Sequence, residues 1–246
     1  MSAPDVWTGG PVTDRATCVL QANPGPMTLE GTNTWLLAAP GAPEVVVVDP
    51  GEDDPAHRAA TTAALAGRRV ALVVATHHHR DHVGGLDDFL AQHPAPVVRE
   101  PGAHDVAGLS FDVLATPGHT ADSVCIQLAT GELLTGDTLL GRGSTVVAAD
   151  GDLGDHLDSL DLLLSLDADV ALPGHGPART DVRTALRTQL DHRLQRLEQV
   201  RAALAAGADT VADVVRAVHG DLEPTLERAA TQSIRAQLAY LGHPLR

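Results

Sequence analysis

Lysine is absent from the 246-residue chain, and all 17 basic residues are arginine. This excludes Schiff-base chemistry on the chain's own amines and any P-loop lysine. Cysteine occurs only at Cys18 and Cys125, too few for a disulfide framework or a cysteine-rich zinc site. Aromatic residues make up 2%, so the core must come from Val, Leu and Ala, and few rings remain for stacking nucleic-acid bases. No apolar run approaches the ~20 residues of a membrane span. The opening MSAPDVWTGGP has neither the basic nor the apolar region of a secretory leader, and the expected location is cytoplasmic, with no membrane partner. Positive charge is also scarce: 32 acids against 17 arginines leave a net charge of −15, which disfavours double-stranded DNA as a partner.

Hydrophobic residues at 43% and charged residues at 20% are ordinary for a folded globular chain and exclude wholesale disorder. No internal repeat is visible. Up to about residue 180, short β-type runs alternate with Gly/Pro punctuation and helical patterns. Strands are predicted over 17–21, 34–38, 44–49, 70–76, 111–116, 123–128, 132–134 and 168–172, and helices over 55–66, 85–92 and 154–165. Beyond it, three helical patterns cover 181–206, 210–218 and 224–241. Charge changes at the same place, from 8 Arg against 24 acids before residue 181 to 9 Arg against 8 acids after it. Residues 1–180 are therefore expected to form one domain and 181–246 a separate helical C-terminal domain.

The densest chemistry lies in THHHRDHVGG, residues 76–85, where an apolar strand runs into a polar loop. It presents His77, His79, Asp81 and His82 as imidazole and carboxylate donors suited to zinc. His77 and His79 project the same way if the chain stays extended, leaving Asp81 and His82 to face a second position. His78 should point away by the same alternation. Three further donors each follow an apolar strand and a glycine: His119 in TPGHT, Asp137 in LTGDT and His175 in LPGHG. Glycine lets the backbone turn sharply beside a site.

This pattern resembles the H-x-H-x-D-H signature and later motifs of the metallo-β-lactamase superfamily, over roughly residues 16–180. The resemblance implies an α/β fold, a four-layer αββα sandwich with the site at one edge of two sheets. It also implies a first metal on His77, His79 and His119, a second on Asp81, His82 and His175, and Asp137 bridging both. Two zinc ions are expected, with iron or manganese also compatible. Such a pair would generate a bridging hydroxide as nucleophile, with Asp81 and Asp137 as catalytic residues and Asp81 hydrogen-bonded to that hydroxide.

NPGPMTLEGTNTW (residues 23–35), GDTLLGRGST (136–145) and Asp191-His192-Arg193 resemble the β-lactamase-like protein 2 subgroup. That likeness implies a small winged-helix-like C-terminal module and either of two substrate classes. Phosphodiester hydrolysis, with single-stranded RNA as substrate, is the expected activity. Thioester or other small-molecule ester hydrolysis is the alternative, and a non-catalytic metal-dependent binding protein ranks last. The chain stops at LGHPLR, so a full β-wing is not expected.

Several positions carry two readings. Segment 23–33 is either a plain Gly/Pro hairpin or part of the cleft lining. Asp49 either orients the ligand loop or merely ends its strand in an Asp-Pro-Gly turn. Arg183, Arg187, Arg193 and Arg196 either form a basic surface for phosphates or make ordinary helix ion pairs. Arg80 is expected to be solvated. Cys125 belongs in a core, and His57, His93, His104, His156, His219 and His243 are expected on the surface.

Overall fold

Four consecutive valines, Val45–Val48, form the centre of a strand that is buried on both faces. Such a run replaces the apolar/polar alternation of a half-exposed strand when a sheet is covered on each side. In the computed structural model, which describes residues 6–243, this strand lies inside the first of two sheets. Residues 1–5, the start of the segment read for a leader, and residues 244–246 at the end of LGHPLR lie outside the described part.

The first half of the chain runs β1 (Gly10–Pro11), β2 (Ala16–Leu20), β3 (Asn33–Leu37), β4 (Glu44–Val48), α1 (Pro55–Ala64), β5 (Arg69–Val74), α2 (Arg80–Val83), α3 (Leu86–Gln92) and β6 (Val97–Val98). The second continues with β7 (Gly102–Val106), β8 (Leu109–Ala115), β9 (Val124–Leu128), β10 (Glu132–Gly136), α4 (Leu153–Leu164) and β11 (Val170–Pro173). Helices α5 (Val182–Ala205), α6 (Val211–His219) and α7 (Pro224–Tyr240) follow. One sheet has the order β1-β2-β3-β4-β5-β6 and the other β11-β10-β9-β8-β7.

Both sheets are mixed. The β4–β5, β5–β6 and β10–β11 pairs are parallel, and the remaining pairs are antiparallel. The inner faces meet in one cluster, in which Trp35, Val46 and Val48, on one face of the first sheet, join Phe111, Ile126 and Leu172. Leu65, Leu86 and Phe89, from the end of α1 and from α3, join the same cluster. Leu157, Leu160 and Leu163 of α4 pack with Cys125, Leu133 and Ala171 on the far face of the second sheet. This is the expected helix–sheet–sheet–helix layering.

Helix α5 takes part in two clusters. Its first half (Ala185, Leu186, Leu190) shares the apolar cluster of α4 and the second sheet. Its second half (Val200, Ala203) packs with Val214 of α6 and with Ile234 and Leu238 of α7. Among the described residues no strand follows β11.

The long elements fall close to their expected spans, because caps mark them. Asp54 accepts from the Ala56 amide at the start of α1, Asp152 from Asp155 at α4, and Thr210 from Asp213 at α6. The sequence reading missed β1, β6, β7 and α2. β7 has no apolar alternation, yet it pairs with β8 through a two-residue turn, Ala107-Gly108, with φ +55 and +71. Those values are the left-handed geometry of a type I′ hairpin.

Two expectations about polar residues fail. His57 and His156 are buried, at 4% and 0% exposure, not on the surface. Of the four α5 arginines read for a basic surface, three are engaged with main-chain carbonyls, and Arg187 is exposed. Arg183 donates to the Leu164 carbonyl at 3.0 Å and Arg196 to the Val218 carbonyl at 3.1 Å, while Arg193 is buried against the Thr145 carbonyl. Helix-end and loop carbonyls are strong acceptors that need partners, and these arginines supply them. Cys125 is fully buried, as expected, and burial pushes its thiol up to about 11.

Candidate metal centre

Strands β4, β5, β8, β10 and β11 end along one edge of the paired sheets, and the loops leaving them carry every donor picked out in the sequence. Ligand sites commonly form beyond the carboxyl ends of parallel strands. Asp49 follows β4, residues 76–82 follow β5, His119 follows β8, Asp137 follows β10 and His175 follows β11. Their donor atoms form three overlapping groups, each within 4.8 Å: His77, His79 and His119; His77, His82 and Asp137; Asp81, His82 and His175.

Ring nitrogens face one another at the centre. His77 Nε2 and His119 Nε2 lie 3.0 and 3.1 Å from His79 Nδ1, and His82 Nε2 lies 3.2 Å from His175 Nε2. Asp137 reaches both halves, with Oδ1 3.6 Å from His82 Nε2 and Oδ2 3.7 Å from His119 Nε2 and 3.4 Å from His175 Nε2. Asp81 Oδ2 lies 3.1 Å from His175 Nε2.

The far nitrogen of each of four rings is held from behind. His82 Nδ1 meets Asp49 Oδ2 at 2.8 Å, His77 Nδ1 meets Thr76 Oγ1 at 3.0 Å, His119 Nδ1 meets the Val146 carbonyl at 2.6 Å and His175 Nδ1 meets the Gly31 carbonyl at 3.2 Å. An acceptor behind Nδ1 keeps the proton there and leaves the Nε2 lone pair free, the arrangement that metal-binding histidines use. Asp137 Oδ1 is buried without a hydrogen-bond partner, which is costly unless a cation meets it. Converging lone pairs and an unpartnered carboxylate oxygen fit divalent metal.

Electrostatics follow from the crowding. Burial and the neighbouring His82, His119 and His79 rings hold His77 well below the usual histidine range, although Asp137 acts against them. Burial opposes charge on His82, but Asp137 and Asp49 outweigh it and hold its pKa well above that range. Likewise Asp137 and Asp81 overcome burial at His175 and raise it to about 9. Burial also acts against Asp137, yet His175 and His82 hold its carboxyl well below the usual carboxylate range.

Glycine works in two ways here. Gly118 and Gly136 adopt φ +134 and +45, conformations that favour a residue without Cβ. Gly174 instead gives room: a Cβ there would stand 2.6 Å from Asp137 Oδ1 and 2.7 Å from His82 Cε1.

Segment 23–33 has the hairpin character of its first reading. It turns locally through paired Gly25 and Leu29, and it also braces the His175 turn, with Thr32 bridging His175 and Asn33 Nδ2 donating to the Pro173 and Gly176 carbonyls. Asp49 does orient the ligand loop, since its carboxylate accepts from the Thr76 amide, the Thr76 hydroxyl and His82. His78 points outward, as alternation predicts, and pairs with Asp122 at 2.8 Å. Arg80 is exposed, as expected. Sequence reasoning missed Thr76 and Val146, and read Gly174 for a sharp turn rather than for the room it leaves. Thr76 adjoins the histidine run and Gly174 precedes His175, but Val146 contributes only a carbonyl and leaves no signature.

The family model described as "Metallo-beta-lactamase superfamily" matches residues 27–108 and 103–175. The chain belongs to the metallo-β-lactamase superfamily. This superfamily member is a hydrolase, and its His/Asp cluster can hold metal. It is 32% identical to a protein named "Atrochrysone carboxyl ACP thioesterase" from Aspergillus chevalieri, over 90% of this chain and 78% of that one. It is also 32% identical to the "Beta-lactamase-like protein 2 homolog" of Caenorhabditis elegans, over 94% and 85%. A metallo-β-lactamase family protein from Thermus thermophilus superposes with a TM-score of 0.72 at 27% identity, covering 98% of this chain and 94% of that one. No helix of the described residues is long and apolar enough to cross a membrane.

Proposed function

We propose that this metallo-β-lactamase superfamily hydrolase is a dinuclear zinc thioesterase acting on acyl thioesters of small molecules or carriers. The observation that carries the metal reading is the set of rings whose Nδ1 atoms are engaged from behind while their Nε2 atoms converge. His77, His79 and His119 would hold one ion and Asp81, His82 and His175 the other, with Asp137 between them. When bound, the two cations would supply an acidified water and a Lewis acid for the substrate carbonyl.

The chain's own groups do the rest. Asp81 is the more open of the two carboxylates, its side chain 23% exposed against 11% for Asp137. It would accept a hydrogen bond from the attacking water and orient the oxygen lone pair toward the thioester carbon. A carbon–oxygen bond would form as the carbon–sulfur bond breaks, one water proton passing through Asp81 to the departing sulfur and the other to solvent, leaving a carboxylate and a thiol. Asp137 keeps the two halves of the site in register. In this reading residues 1–180 contribute the reacting groups, and helices α5 and α7 back the loops that hold them.

Similarity over most of its length to a protein named as an acyl-carrier thioesterase supports the thioester class. Single-stranded RNA has weaker support, because three of the four α5 arginines that would have bound phosphates, Arg183, Arg193 and Arg196, donate to main-chain carbonyls.

A substrate panel decides between them. Thiol release from acyl-N-acetylcysteamine and acyl-coenzyme A esters, abolished by chelator and restored by zinc, is expected. Cleavage of labelled single-stranded RNA or bis-p-nitrophenyl phosphate, with no thiol release from any ester, would overturn the thioesterase reading.

A further inference from the structure

Segment 144–148 has no helix or strand of its own and lies between the metal cluster and the C-terminal helices. Toward the cluster, the Thr145 hydroxyl donates to the Asp137 carbonyl at 2.6 Å, the Val146 carbonyl accepts from His119 Nδ1 at 2.6 Å, and the Ala148 amide donates to the His119 carbonyl at 2.7 Å. Toward the helices, the Arg193 guanidinium donates to the Thr145 carbonyl, His192 Nδ1 pairs with the Ser144 hydroxyl at 3.0 Å, and Gln232 Nε2 donates to the Val147 carbonyl at 3.0 Å. The segment is a strap with two ligand residues on one side and α5 and α7 on the other.

Arg193 is its most costly anchor. The residue is 4% exposed, and none of the ion pairs among the described residues includes it. Its Nε has no partner, and His156 beside it is buried with both ring nitrogens unpartnered. Burial pushes the guanidinium down to about 10. A buried ion without a counter-ion carries a desolvation cost, and apolar residues of similar size often serve stability equally well or better. Packing alone therefore does not account for an arginine here.

We propose that Arg193 is a positioning residue of the metal centre. By fixing the Thr145 carbonyl it sets the strap, and through the strap it sets the main chain of Asp137 and the ring of His119. The inference rests on the two-cation reading above.

The test uses the full chain with Arg193→Met, Arg193→Lys and Thr145→Val. Metal affinity and the visible spectrum of the cobalt-loaded protein are measured, together with exchange of the Ala148 amide. Arg193→Met is expected to weaken binding of one metal by about 10-fold or more, the usual effect of removing a group that orients a ligand. It should also change the cobalt spectrum and lower kcat with little change in KM. Arg193→Lys, which keeps a charged donor, should recover part of each loss, and the Ala148 amide should exchange faster in Arg193→Met than in wild type. A folded Arg193→Met protein with wild-type affinity and spectrum overturns the proposal. If that variant does not fold, Thr145→Val, which leaves Arg193 and its carbonyl contact in place, must itself weaken metal binding. Wild-type binding there overturns the proposal too. A wild-type protein that binds no metal removes the two-cation reading and this inference with it, whereas metal-binding wild type with unaltered variants removes this inference alone.

Discussion

Asp49 Oδ2 accepts from both His82 Nδ1, at 2.8 Å, and the Thr76 hydroxyl, at 2.6 Å, so one carboxylate outside the donor set orients a ring in each half of the cluster. The link to His77 runs through Thr76, whose hydroxyl oxygen accepts from His77 Nδ1. Asp49 holds φ +53, an uncommon conformation for a residue with Cβ, and this aims the carboxylate across to the neighbouring β5 loop.

Replacing Asp49 by Asn should therefore disturb both halves. One oxygen can still accept from the Thr76 amide, but the shared acceptor for His82 and Thr76 is lost. Metal affinity or activity is expected to fall by about 10- to 100-fold in a protein whose circular dichroism is unchanged. Titration with a chromophoric chelator reads the affinity directly.

Asp137→Asn and His119→Ala test the donor set itself. Each should abolish most turnover on an established substrate and lower the bound metal per chain, while the far-ultraviolet spectrum stays that of the wild type. Near-wild-type turnover in either variant would show that the ligand assignment is wrong.

Gly174→Ala introduces one methyl group 2.6 Å from Asp137 Oδ1 and 2.7 Å from His82 Cε1. Neither neighbour can yield without leaving its place in the cluster. The variant should lose metal and activity together, with a loss comparable to removing a ligand. An alanine variant of normal activity would mean that the β10 and β11 loops pack less closely than these distances require.

His57 makes stability depend on pH. Its ring is buried and donates from Nε2 to the Thr34 hydroxyl, whose own proton goes to the Asp49 carbonyl. Burial lowers its pKa to about 4, although Asp54 acts against the shift, whereas the unfolded value is about 6.5. The unfolded state thus binds the proton more readily. The contribution of neutral His57 is complete above pH ~6.5 and is lost as pH falls toward 4. The ceiling is about 3 kcal/mol at 1.36 kcal/mol per pH unit. Urea melts of the zinc-loaded wild type and His57→Gln across that window should show a shallower fall for the variant, and parallel curves would assign the acid sensitivity elsewhere.

Residues far apart in the chain explain which features were legible beforehand. The clustered residues His77, His79, Asp81, His82, His119, Asp137 and His175 stand in short motifs, each after an apolar run, so local chemistry made them candidates. The sheet layers were readable because Val45–Val48 and the leucines of α4 carry strand and helix periodicity. The small edge strands β1 and β6 were not, since two residues carry no period. Histidines were harder: His57 and His156 lie in sequence that reads as helix surface, and only packing from β3 and from the Gly118 turn buries them.

The amino-acid order alone determined the layered α/β architecture, the helical C-terminal part and which side chains gather as candidate donors, because each depends on periodicity or on neighbours within about ten residues. Tertiary structure decided what stands behind those donors: Asp49 reaching His82 across 33 positions, the Val146 carbonyl reaching His119 across 27, and Arg193 reaching Thr145 across 48. A carbonyl has no side-chain identity, and an arginine on a helix looks solvated until the fold surrounds it. Those contacts therefore exist only once strands and helices distant in the chain have packed together.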